Sequence, residues 1–357
     1  MKVAVVLGTR PEIIKMSPVI RELERRGIDQ FVLHTGQHYS HNMDGVFFEV
    51  LRLKKPKYNL GVGSGTHAEE TAKMLMGIER VLADERPDCV LVEGDTNTVL
   101  AGALAASKMG IDVGHVEAGL RSGDMSMPEE VNRIVADHLS DHLFAPTMTS
   151  KNNLIREGIA SQKIAVTGNT IVDAVFQNLD LARARDVRSE FGLDRYFLAT
   201  VHRQENADDP GRLRGILEGL ALISEEFGRA VLYPVHPRAK KRLNEFGIRL
   251  PRGIAAVDPV DYLTFLLLER GADLILTDSG GIQEEACILG VPCVTLRDNT
   301  ERPETIEVGA NVLAGAEPSR ILECARLMLS NRRAWGNPYG DGRSASRIID
   351  VLEGVSF

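Results

Sequence analysis

The amino-acid sequence predicts an α/β protein made of two doubly wound, Rossmann-like domains that face a cleft. Short apolar segments typical of buried strands alternate with helical segments along almost the whole chain. This alternation is typical of parallel sheets that are covered by helices. A length of 357 residues also exceeds what a single hydrophobic core usually supports, so we expect two domains of similar size.

The first domain is predicted to cover residues 1–180. Its strands are expected at Lys2–Leu7, Phe31–His34, Cys89–Val92, Val113–Val116, His142–Phe144 and Ile164–Val166. Its main helices are expected at Glu12–Arg26, His67–Asp84 and Thr96–Lys108. The first of these helices has apolar residues at helical spacing, which predicts one buried face.

The second domain is predicted to cover residues 181–340, beginning in a charged and weakly apolar stretch. Its strands are expected at Tyr196–Val201, Ala230–Val235, Ile254–Val257, Leu274–Thr277 and Cys293–Leu296. Its helices are expected at Pro210–Phe227, Ala239–Phe246, Asp261–Arg270, Gly280–Leu289 and Ser319–Leu329. A final segment, residues 341–357, contains a helical pattern at Ser344–Leu352 that could cross back to the first domain.

Composition argues against several functions. A hydrophobic content of 43% and a charged content of 26% are those of an ordinary globular protein. A net charge of -8 argues against nucleic-acid binding, and no apolar run approaches the roughly 20 residues needed to span a bilayer. The N-terminus lacks the pattern of a secretory signal, which favours a cytoplasmic protein. The four cysteines lack metal-ligand spacing and are expected to be buried and reduced.

Acidic side chains lie at the predicted ends of two strands in the first domain. Asp95 is expected at the end of one strand and Glu117 at the end of the next, while Glu129 opens a helix one turn before Arg133. Ligands of open parallel sheets bind outside the carboxyl ends of the strands, so these groups are expected to converge on a substrate. The alternative for any one of them is a hydrated acid that caps a helix.

A glycine-rich turn in the second domain predicts a phosphate site. Ser279-Gly280-Gly281 leads from a strand directly into a helix, and free N–H groups at a helix start bind phosphate. Such turns also serve packing, which is the alternative here. Glu285 follows about one turn later and could accept hydrogen bonds from ribose hydroxyls. His202, at another strand end, could donate to a phosphate oxygen or act as an acid, although a structural histidine is an equal alternative.

The turn after the first strand supplies cations. Arg10 lies at a helix entrance, where its guanidinium could reach a phosphate, and Lys15 follows one turn later. The alternative for Arg10 is an exposed ion pair with Glu12. The segment is neither a dinucleotide-binding fingerprint nor a Walker A loop, so neither NAD nor ATP is implied. His34, His38 and His41 lack the spacing and the carboxylate of a zinc site, so no metal is predicted.

Together these segments resemble the non-hydrolysing UDP-N-acetylglucosamine 2-epimerases. The resemblance covers nearly the whole chain and rests on an ordered set of motifs: Gly8-Thr9-Arg10-Pro11-Glu12, Glu93-Gly94-Asp95-Thr96, His115-Val116-Glu117-Ala118-Gly119, Pro128-Glu129-Glu130-Val131-Asn132-Arg133, His202-Arg203-Gln204-Glu205-Asn206, Asp278-Ser279-Gly280-Gly281 and Glu301-Arg302-Pro303-Glu304. It implies the architecture of B-type glycosyltransferases, a homodimer, and interconversion of UDP-GlcNAc and UDP-ManNAc without a cofactor.

The resemblance also implies a mechanism and residue roles. UDP would leave C1 as the C2 proton is removed, giving 2-acetamidoglucal, and UDP would then add again with protonation from the opposite face. Asp95, Glu117 and Glu129 are the candidate acids and bases, with Arg133 stabilising charge. The diphosphate would be bound by Arg10, His202 and the Ser279-Gly280-Gly281 turn. By family analogy Glu285 would hold the ribose, and Phe265 and Arg302 would border the nucleotide.

Three other functions are considered beside this one. Hydrolysing 2-epimerases typically differ at the residue after Gly94-Asp95 and in the Glu117 and Glu129 motifs, so they fit less well. A UDP-sugar glycosyltransferase would share the nucleotide site, and a non-catalytic sensor would bind without C2 exchange. The sequence departs from bacterial epimerases at Gln204 and at Gly63–Gly65, where members with a regulatory second site carry an Arg-Gln pair. Gln37-His38 still matches that regulatory site, so allosteric activation by substrate is left open.

Overall fold

A computed structural model describes residues 1–36, 41–192, 194–330 and 334–355. The chain forms two compact units. The first contains Met1–Asn178 and Tyr339–Phe357, and the second contains Leu179–Pro338. The chain therefore leaves the first unit once and returns to it after the second unit is complete.

The first unit is built on a seven-stranded parallel sheet with the order β3-β2-β1-β4-β5-β6-β7. Its strands are β1 (Lys2–Leu7), β2 (Asp29–His34), β3 (Tyr58–Asn59), β4 (Cys89–Glu93), β5 (Asp112–Val116), β6 (His142–Ala145) and β7 (Ile164–Val166). Its helices are α1 (Arg10–Arg25), α2 (His41–Val50), α3 (His67–Glu85), α4 (Asn97–Lys108), α5 (Pro128–Leu139), α6 (Met148–Arg156) and α7 (Thr170–Ala182). The last of these runs into the second unit.

The second unit is built on a six-stranded parallel sheet with the order β10-β9-β8-β11-β12-β13. Its strands are β8 (Tyr196–Thr200), β9 (Ala230–Pro234), β10 (Ile254–Val257), β11 (Leu274–Thr277), β12 (Cys293–Thr295) and β13 (Asn311–Leu313). Its helices are α8 (Val187–Phe191), α9 (Gln204–Ala207), α10 (Pro210–Phe227), α11 (Pro237–Glu245), α12 (Tyr262–Gly271), α13 (Gly280–Leu289), α14 (Pro303–Glu307) and α15 (Pro318–Ser330).

Both sheets reverse their strand order at one place. In the first unit the reversal falls between β1 and β4, and in the second it falls between β8 and β11. The central strands are mostly apolar because helices cover both faces of the sheet; Val3 to Leu7 in β1, for example, are at most 1% exposed. In doubly wound folds ligands bind where the order reverses, outside the carboxyl ends of the strands. A ligand site is therefore expected at the residues that follow β1, β4, β8 and β11.

The C-terminal helix α16 (Ser344–Leu352) packs on α1 of the first unit. Arg26, at the end of α1, donates to Ser346 in α16. The backbone N–H groups of Ser344 and Ala345, at the start of α16, donate to the carboxylate of Asp173. Ile348 is fully buried. The helix therefore completes the core of the first unit.

The structure differs from the sequence prediction mainly at element ends and in short elements. Asp95 and Glu117, which were expected at strand ends, lie just beyond them, because β4 ends at Glu93 and β5 ends at Val116. Both strands end because the next residue has a left-handed backbone: Gly94 has φ 86° and Glu117 has φ 69°, values that a strand does not accommodate. Strand β3, with two residues, and strand β13, with three residues, were not predicted.

The four cysteines are free and buried, as predicted. Within the described ranges no helix is long and apolar enough to cross a membrane. The same part of the chain contains no group of three or more His, Cys, Asp or Glu side chains arranged to hold a metal ion.

Candidate active site

Glu12 lies at the point where the first sheet reverses its strand order. It opens the first turn of α1 just after β1, and it is 2% exposed. Its carboxylate accepts hydrogen bonds from the backbone N–H of Gly8, from the backbone N–H of Thr9 and from the hydroxyl of Thr96, which follows β4. Burial raises the pKa of Glu12 to about 7, even though these hydrogen bonds favour the charged form. Glu12 thus ties the loop after β1 to the loop after β4.

Lys15 lies one turn further along α1, between two other buried carboxylates. Its ammonium is 3.3 Å from a carboxylate oxygen of Glu93, the last residue of β4. It also donates to the carboxylate of Glu117, which follows β5. Burial raises the pKa of Glu93 well above its usual range; Lys15 opposes this effect, while Glu117 and Glu12 add to it. We call Glu12, Glu93, Glu117 and Lys15 the acid cluster.

The backbone of Glu117 has a left-handed conformation, with φ 69°. A side chain other than glycine reaches this region at a cost of about 1–3 kcal/mol, and such residues concentrate at functional sites. Glu117 is 7% exposed, and its side chain also accepts a hydrogen bond of 3.3 Å from the amide of Asn169. The local strain and the two side-chain partners together fix one orientation of this carboxylate.

Asp95 and Arg133 form an ion pair next to the acid cluster. Arg133, on α5, donates both to Asp95 and to Glu130, the latter at 2.8 Å. Glu130 is 1% exposed and accepts hydrogen bonds from the backbone N–H groups of Ser122 and Gly123. Asp95 is therefore held by a guanidinium that is itself anchored in the loop before α5.

Glu129 and Arg10 are the more exposed candidates of the first unit. Glu129 is in the first turn of α5 and is exposed, whereas its neighbour Glu130 is buried. Arg10 is also exposed, with its guanidinium carbon 5.7 Å from the centre of the Phe47 ring. The alternative pairing of Arg10 with Glu12 is wrong, because the Glu12 carboxylate is buried and binds the two loops instead.

In the second unit, His202 and Asp278 meet where the second sheet reverses its order. His202 follows β8 and Asp278 follows β11, and the Nδ1 of His202 lies 2.7 Å from a carboxylate oxygen of Asp278. Asp278 is fully buried and also accepts hydrogen bonds from the backbone N–H of Arg203 and the amide of Asn206. Burial would raise the pKa of Asp278, but the hydrogen bond and charge of His202 outweigh it and the pKa is lowered. An ionised Asp278 selects the His202 tautomer with a proton on Nδ1.

The start of α13 leaves its backbone open. Helix α13 begins at Gly280, after Ser279, whose side chain makes no capping hydrogen bond. A methyl group added at Gly281 would meet nothing within 4 Å, and one added at Gly280 would approach just one atom, at 3.9 Å. Neither glycine is therefore required by packing against described residues. Free N–H groups at such a helix start favour an anion.

Glu285 lies one turn further along α13 and is 6% exposed. It accepts a hydrogen bond of 2.8 Å from the hydroxyl of Tyr262, at the start of α12. The carboxyl group of Glu269, at the other end of α12, is hydrogen-bonded to it as well. Burial, followed by the charge of Glu285, raises the pKa of Glu269 well above its usual range. We call Glu269 and Glu285 the acid pair.

Arg302 and Phe265 have partners within the second unit. The Nε of Arg302 is 2.7 Å from a carboxylate oxygen of Glu284, which is 1% exposed. Phe265 is half-buried against an apolar cluster of the second sheet. The structure therefore assigns both a packing or pairing role, and any contact with a ligand is an additional prediction.

Several acidic residues of these sites were not predicted as site residues from sequence, among them the following four. Glu12, Glu93 and Asp278 lie within the sequence motifs described above, in which functional roles were assigned to other residues. Glu269 lies outside every motif. A signal was present for two of them. Glu93 continues an unbroken apolar strand, and Glu269 follows the apolar run Leu266–Leu268 in a helix. A charged residue in such a setting is expected to be buried with a specific partner.

Two parallel sheets, whose first six strands have the same order, define this protein as a two-domain, Rossmann-like α/β protein. A spinosyn rhamnosyltransferase has the same fold, with a TM-score of 0.56 at 14% identity over 99% of this chain and 97% of that chain. A family model described as UDP-N-acetylglucosamine 2-epimerase matches residues 21–353. The chain belongs to the UDP-N-acetylglucosamine 2-epimerase family.

Individual relatives agree with this assignment. The UDP-N-acetylglucosamine 2-epimerase of Methanocaldococcus jannaschii is 57% identical over 99% of this chain and 99% of its own length. A crystal structure of that enzyme in complex with UDP-GlcNAc and UDP superposes with a TM-score of 0.91, covering 99% of this chain and 100% of that chain. A UDP-2,3-diacetamido-2,3-dideoxy-D-glucuronate 2-epimerase of Pseudomonas aeruginosa is 44% identical over 99% of both.

Proposed function

We propose that this protein interconverts UDP-GlcNAc and UDP-ManNAc by inverting the configuration at C2 of the sugar. The observation that carries this proposal is the group of buried acids where the first sheet reverses its order, in a chain 57% identical to a UDP-N-acetylglucosamine 2-epimerase. The C2 hydrogen is not adjacent to a carbonyl, so simple enolate chemistry does not account for its removal. An elimination followed by an addition avoids this difficulty.

In the first half of the proposed reaction a base takes the C2 proton while the bond between C1 and the UDP oxygen breaks. UDP leaves with the electron pair, and a C1–C2 double bond forms in 2-acetamidoglucal. In the second half the UDP oxygen adds to C1 while an acid delivers a proton to the opposite face of C2. The reaction therefore needs positioned acid and base groups on both faces.

We assign the acid and base roles to Asp95, Glu117 and Glu129. Glu117 is held by Lys15 and Asn169, and Asp95 is held by Arg133, so both carboxylates have fixed orientations. Glu129 is exposed in the first turn of α5, where a carboxylate is free to meet a ligand. Arg133 would stabilise charge near Asp95, and Lys15 would hold the Glu117 carboxylate in position.

The leaving UDP requires cations and hydrogen-bond donors. We assign this role to Arg10, to His202, which Asp278 orients, and to the α13 start at Ser279, Gly280 and Gly281. Glu285 would accept hydrogen bonds from the ribose hydroxyls. We further propose that Phe265 and Arg302 border the nucleotide, with Arg302 also held by Glu284.

A second substrate has a specific observation in its favour. The Pseudomonas aeruginosa relative, at 44% identity, is named for action on a diacetamido glucuronate carried by UDP. That sugar has a carboxylate at C6 and an acetamido group at C3. The 57% identical relative, named for UDP-N-acetylglucosamine, favours UDP-GlcNAc, and a direct comparison of both substrates distinguishes the two.

The test is NMR spectroscopy of the full-length protein with UDP-GlcNAc in deuterated water, with EDTA and without NAD. We expect UDP-ManNAc to appear and deuterium to enter C2 of the product, because the removed proton can exchange before readdition. Complete retention of the C2 hydrogen would defeat the proton-transfer mechanism. Steady release of free ManNAc would indicate a hydrolysing epimerase, and an unchanged sugar would indicate a transferase or a sensor.

Two further proposals concern the assembly and the location of the protein. We propose a homodimer, as the family resemblance suggests, and a location in the cytoplasm, where the four free and buried cysteines would stay reduced. Light scattering on the purified protein would test the first of these, with a monomeric mass as the contrary result. Fractionation of the source cells would test the second.

A further inference from the structure

Glu269 forms its hydrogen bond with the residue that we propose holds the ribose. Glu269 is 0% exposed and Glu285 is 6% exposed, and their carboxyl groups are hydrogen-bonded to each other. An ionised carboxylate has acceptor oxygens and no donor. A hydrogen bond between two carboxyl groups therefore requires that one of them holds a proton.

The surroundings favour Glu269 as the protonated member. Both of its oxygens are buried and receive no N–H or O–H donor from the described residues, so an ionised Glu269 would be uncompensated. Among the described residues, the buried thiol of Cys293 is another titratable neighbour of Glu269. Glu285 instead accepts the Tyr262 hydroxyl at 2.8 Å, which suits a charged carboxylate.

The geometry of α12 explains how both donors reach Glu285. Tyr262 and Glu269 are seven residues apart, which is close to two helical turns, so their side chains share one face of the helix. Helix α12 packs on α13, which carries Glu285. Two donors from one rigid helix can therefore fix the Glu285 carboxylate and leave its remaining lone pairs for a ligand.

We propose that Glu269 is a positioning residue: as an uncharged acid it donates a hydrogen bond to Glu285 and holds that carboxylate ready for the ribose hydroxyls of UDP. This inference rests on the proposed nucleotide role of Glu285. Glu269 does not touch the substrate in this scheme. It acts through Glu285, so its removal is expected to change ribose recognition more than the chemistry at the sugar.

The test compares the affinities of UDP and 2′-deoxy-UDP by calorimetry with the full-length protein. The readout is the dissociation constant of 2′-deoxy-UDP divided by that of UDP. A general loss of folding or packing does not change this ratio. We expect Glu269→Leu, which removes the donor, to lower the ratio roughly tenfold, the scale of one hydrogen bond to a charged group. Glu269→Gln retains an N–H donor, so it should keep the ratio within about threefold of the unmodified protein.

Two other variants separate the possible failures. Leu268→Ala disturbs the same helix at a buried apolar position and should leave the ratio unchanged. Glu285→Gln should lower the ratio, and if it does not, the ribose role of Glu285 is refuted together with this inference. If Glu285→Gln lowers the ratio but Glu269→Leu does not, the inference about Glu269 alone is overturned. If Glu269→Gln lowers the ratio as much as Glu269→Leu does, an amide N–H does not replace the donor of Glu269. That result would also contradict the inference.

Infrared spectroscopy tests the shared proton independently of any ligand. A protonated carboxylic acid has a carbonyl band that an ionised carboxylate lacks. The difference spectrum between the unmodified protein and Glu269→Gln at neutral pH should contain this band. Its absence would show that Glu269 is ionised and would overturn the proposal, whatever the affinity ratios are.

Discussion

The acid cluster and the acid pair bury carboxylates in two different ways. In the first unit, the ammonium of Lys15 lies between Glu93 and Glu117. In the second unit, Glu269 is hydrogen-bonded to Glu285, and the effects that act on its pKa are burial and that neighbour. The repulsion between neighbouring carboxylates is therefore reduced by the Lys15 ammonium in the acid cluster and by a proton on Glu269 in the acid pair. The comparison teaches that buried carboxylates can be held in place by an ammonium group that lies between them or by a proton that they share.

The largest effect should separate two members of the acid cluster. We expect Glu117→Gln to lower turnover about 100- to 10,000-fold, the usual cost of losing a positioned acid or base. Glu93→Gln should lower turnover less than about tenfold, because burial keeps the pKa of Glu93 high and the amide resembles the uncharged acid. Steady-state kinetics with UDP-GlcNAc measures both, and exposed Glu79→Gln serves as the control. Equal losses of turnover in Glu117→Gln and Glu93→Gln would mean that the reaction depends equally on both carboxyl groups.

Asp95→Asn and Glu129→Gln belong to the same experiment. Each is expected to lower turnover about 100-fold or more, because each removes one of the proposed acids or bases. Circular dichroism should show an unchanged fold in both, because neither residue is fully buried. Near-normal turnover in Glu129→Gln would exclude Glu129 from the proposed acids and bases and leave Asp95 and Glu117.

The next largest effect concerns the cation. Lys15→Met would leave Glu93 and Glu117 without their shared ammonium, and removing one partner of a buried ion pair typically costs about 3–5 kcal/mol. We expect a loss of this size in the free energy of unfolding, measured with a chemical denaturant at pH 7. Lys73→Met, at an exposed position, should change it by less than about 0.5 kcal/mol. A small loss in Lys15→Met would mean that protons already neutralise the cluster.

A smaller effect appears in the pH dependence of stability. The folded pKa of Glu12 is raised to about 7 from 4.5, so the folded state binds more protons than the unfolded state between these values. Stability contributed by this group is therefore lost as the pH rises from 4.5 to 7. Glu12→Gln does not titrate, so its stability relative to the unmodified protein should increase across that window, by up to about 3 kcal/mol, and level off near pH 7.

The acid pair provides the contrast for this measurement. The pKa of Glu269 is raised well above 4.5, so the relative gain of Glu269→Gln should also begin near pH 4.5. Unfolding curves at several pH values from 4 to 9 would compare the two variants. A gain that is identical in pH range to that of Glu12→Gln would show that the two sites hold their protons equally strongly.

The smallest effect on stability is expected at the start of α13. Gly281→Ala adds a methyl group that meets nothing within 4 Å, so stability should rise by about 0.5–1 kcal/mol from reduced backbone freedom. UDP affinity should nevertheless fall, because the methyl group would occupy space next to the proposed phosphate. Gly45→Ala, also in a helix with open space at the added methyl, should match the stability gain without changing UDP affinity. Unchanged affinity in Gly281→Ala would remove this turn from the phosphate site.

Much of the fold was predictable because long apolar strands and amphipathic helices carry a strong local pattern. Strand β1 and helix α13, for instance, have the predicted bounds. The order of strands was not predictable, because parallel pairing depends on contacts far apart in sequence. That order is what brings Glu12 to Thr96 and His202 to Asp278, so the partners of the predicted site residues could not be derived.

The candidate site was predicted in part for the same reason. Asp95, Glu117 and His202 follow strands, which marks them locally as groups at a sheet edge. Burial distinguishes Glu130 from the adjacent Glu129, yet nothing in the sequence of two consecutive glutamates does so. The regulatory-site resemblance at Gln37-His38 lies outside the described residues and stays a prediction.

The return of the chain to its first unit has a consequence for how the protein is made. Helix α16 packs on α1, but the ribosome synthesises the whole of Leu179–Pro338 between the two parts of that unit. At ordinary elongation rates this interval lasts roughly 10–30 seconds. During this time the α1 surface that α16 later covers stays exposed on the nascent chain. The packing of α16 on α1, with Ile348 fully buried, can therefore form only after the second unit has been synthesised.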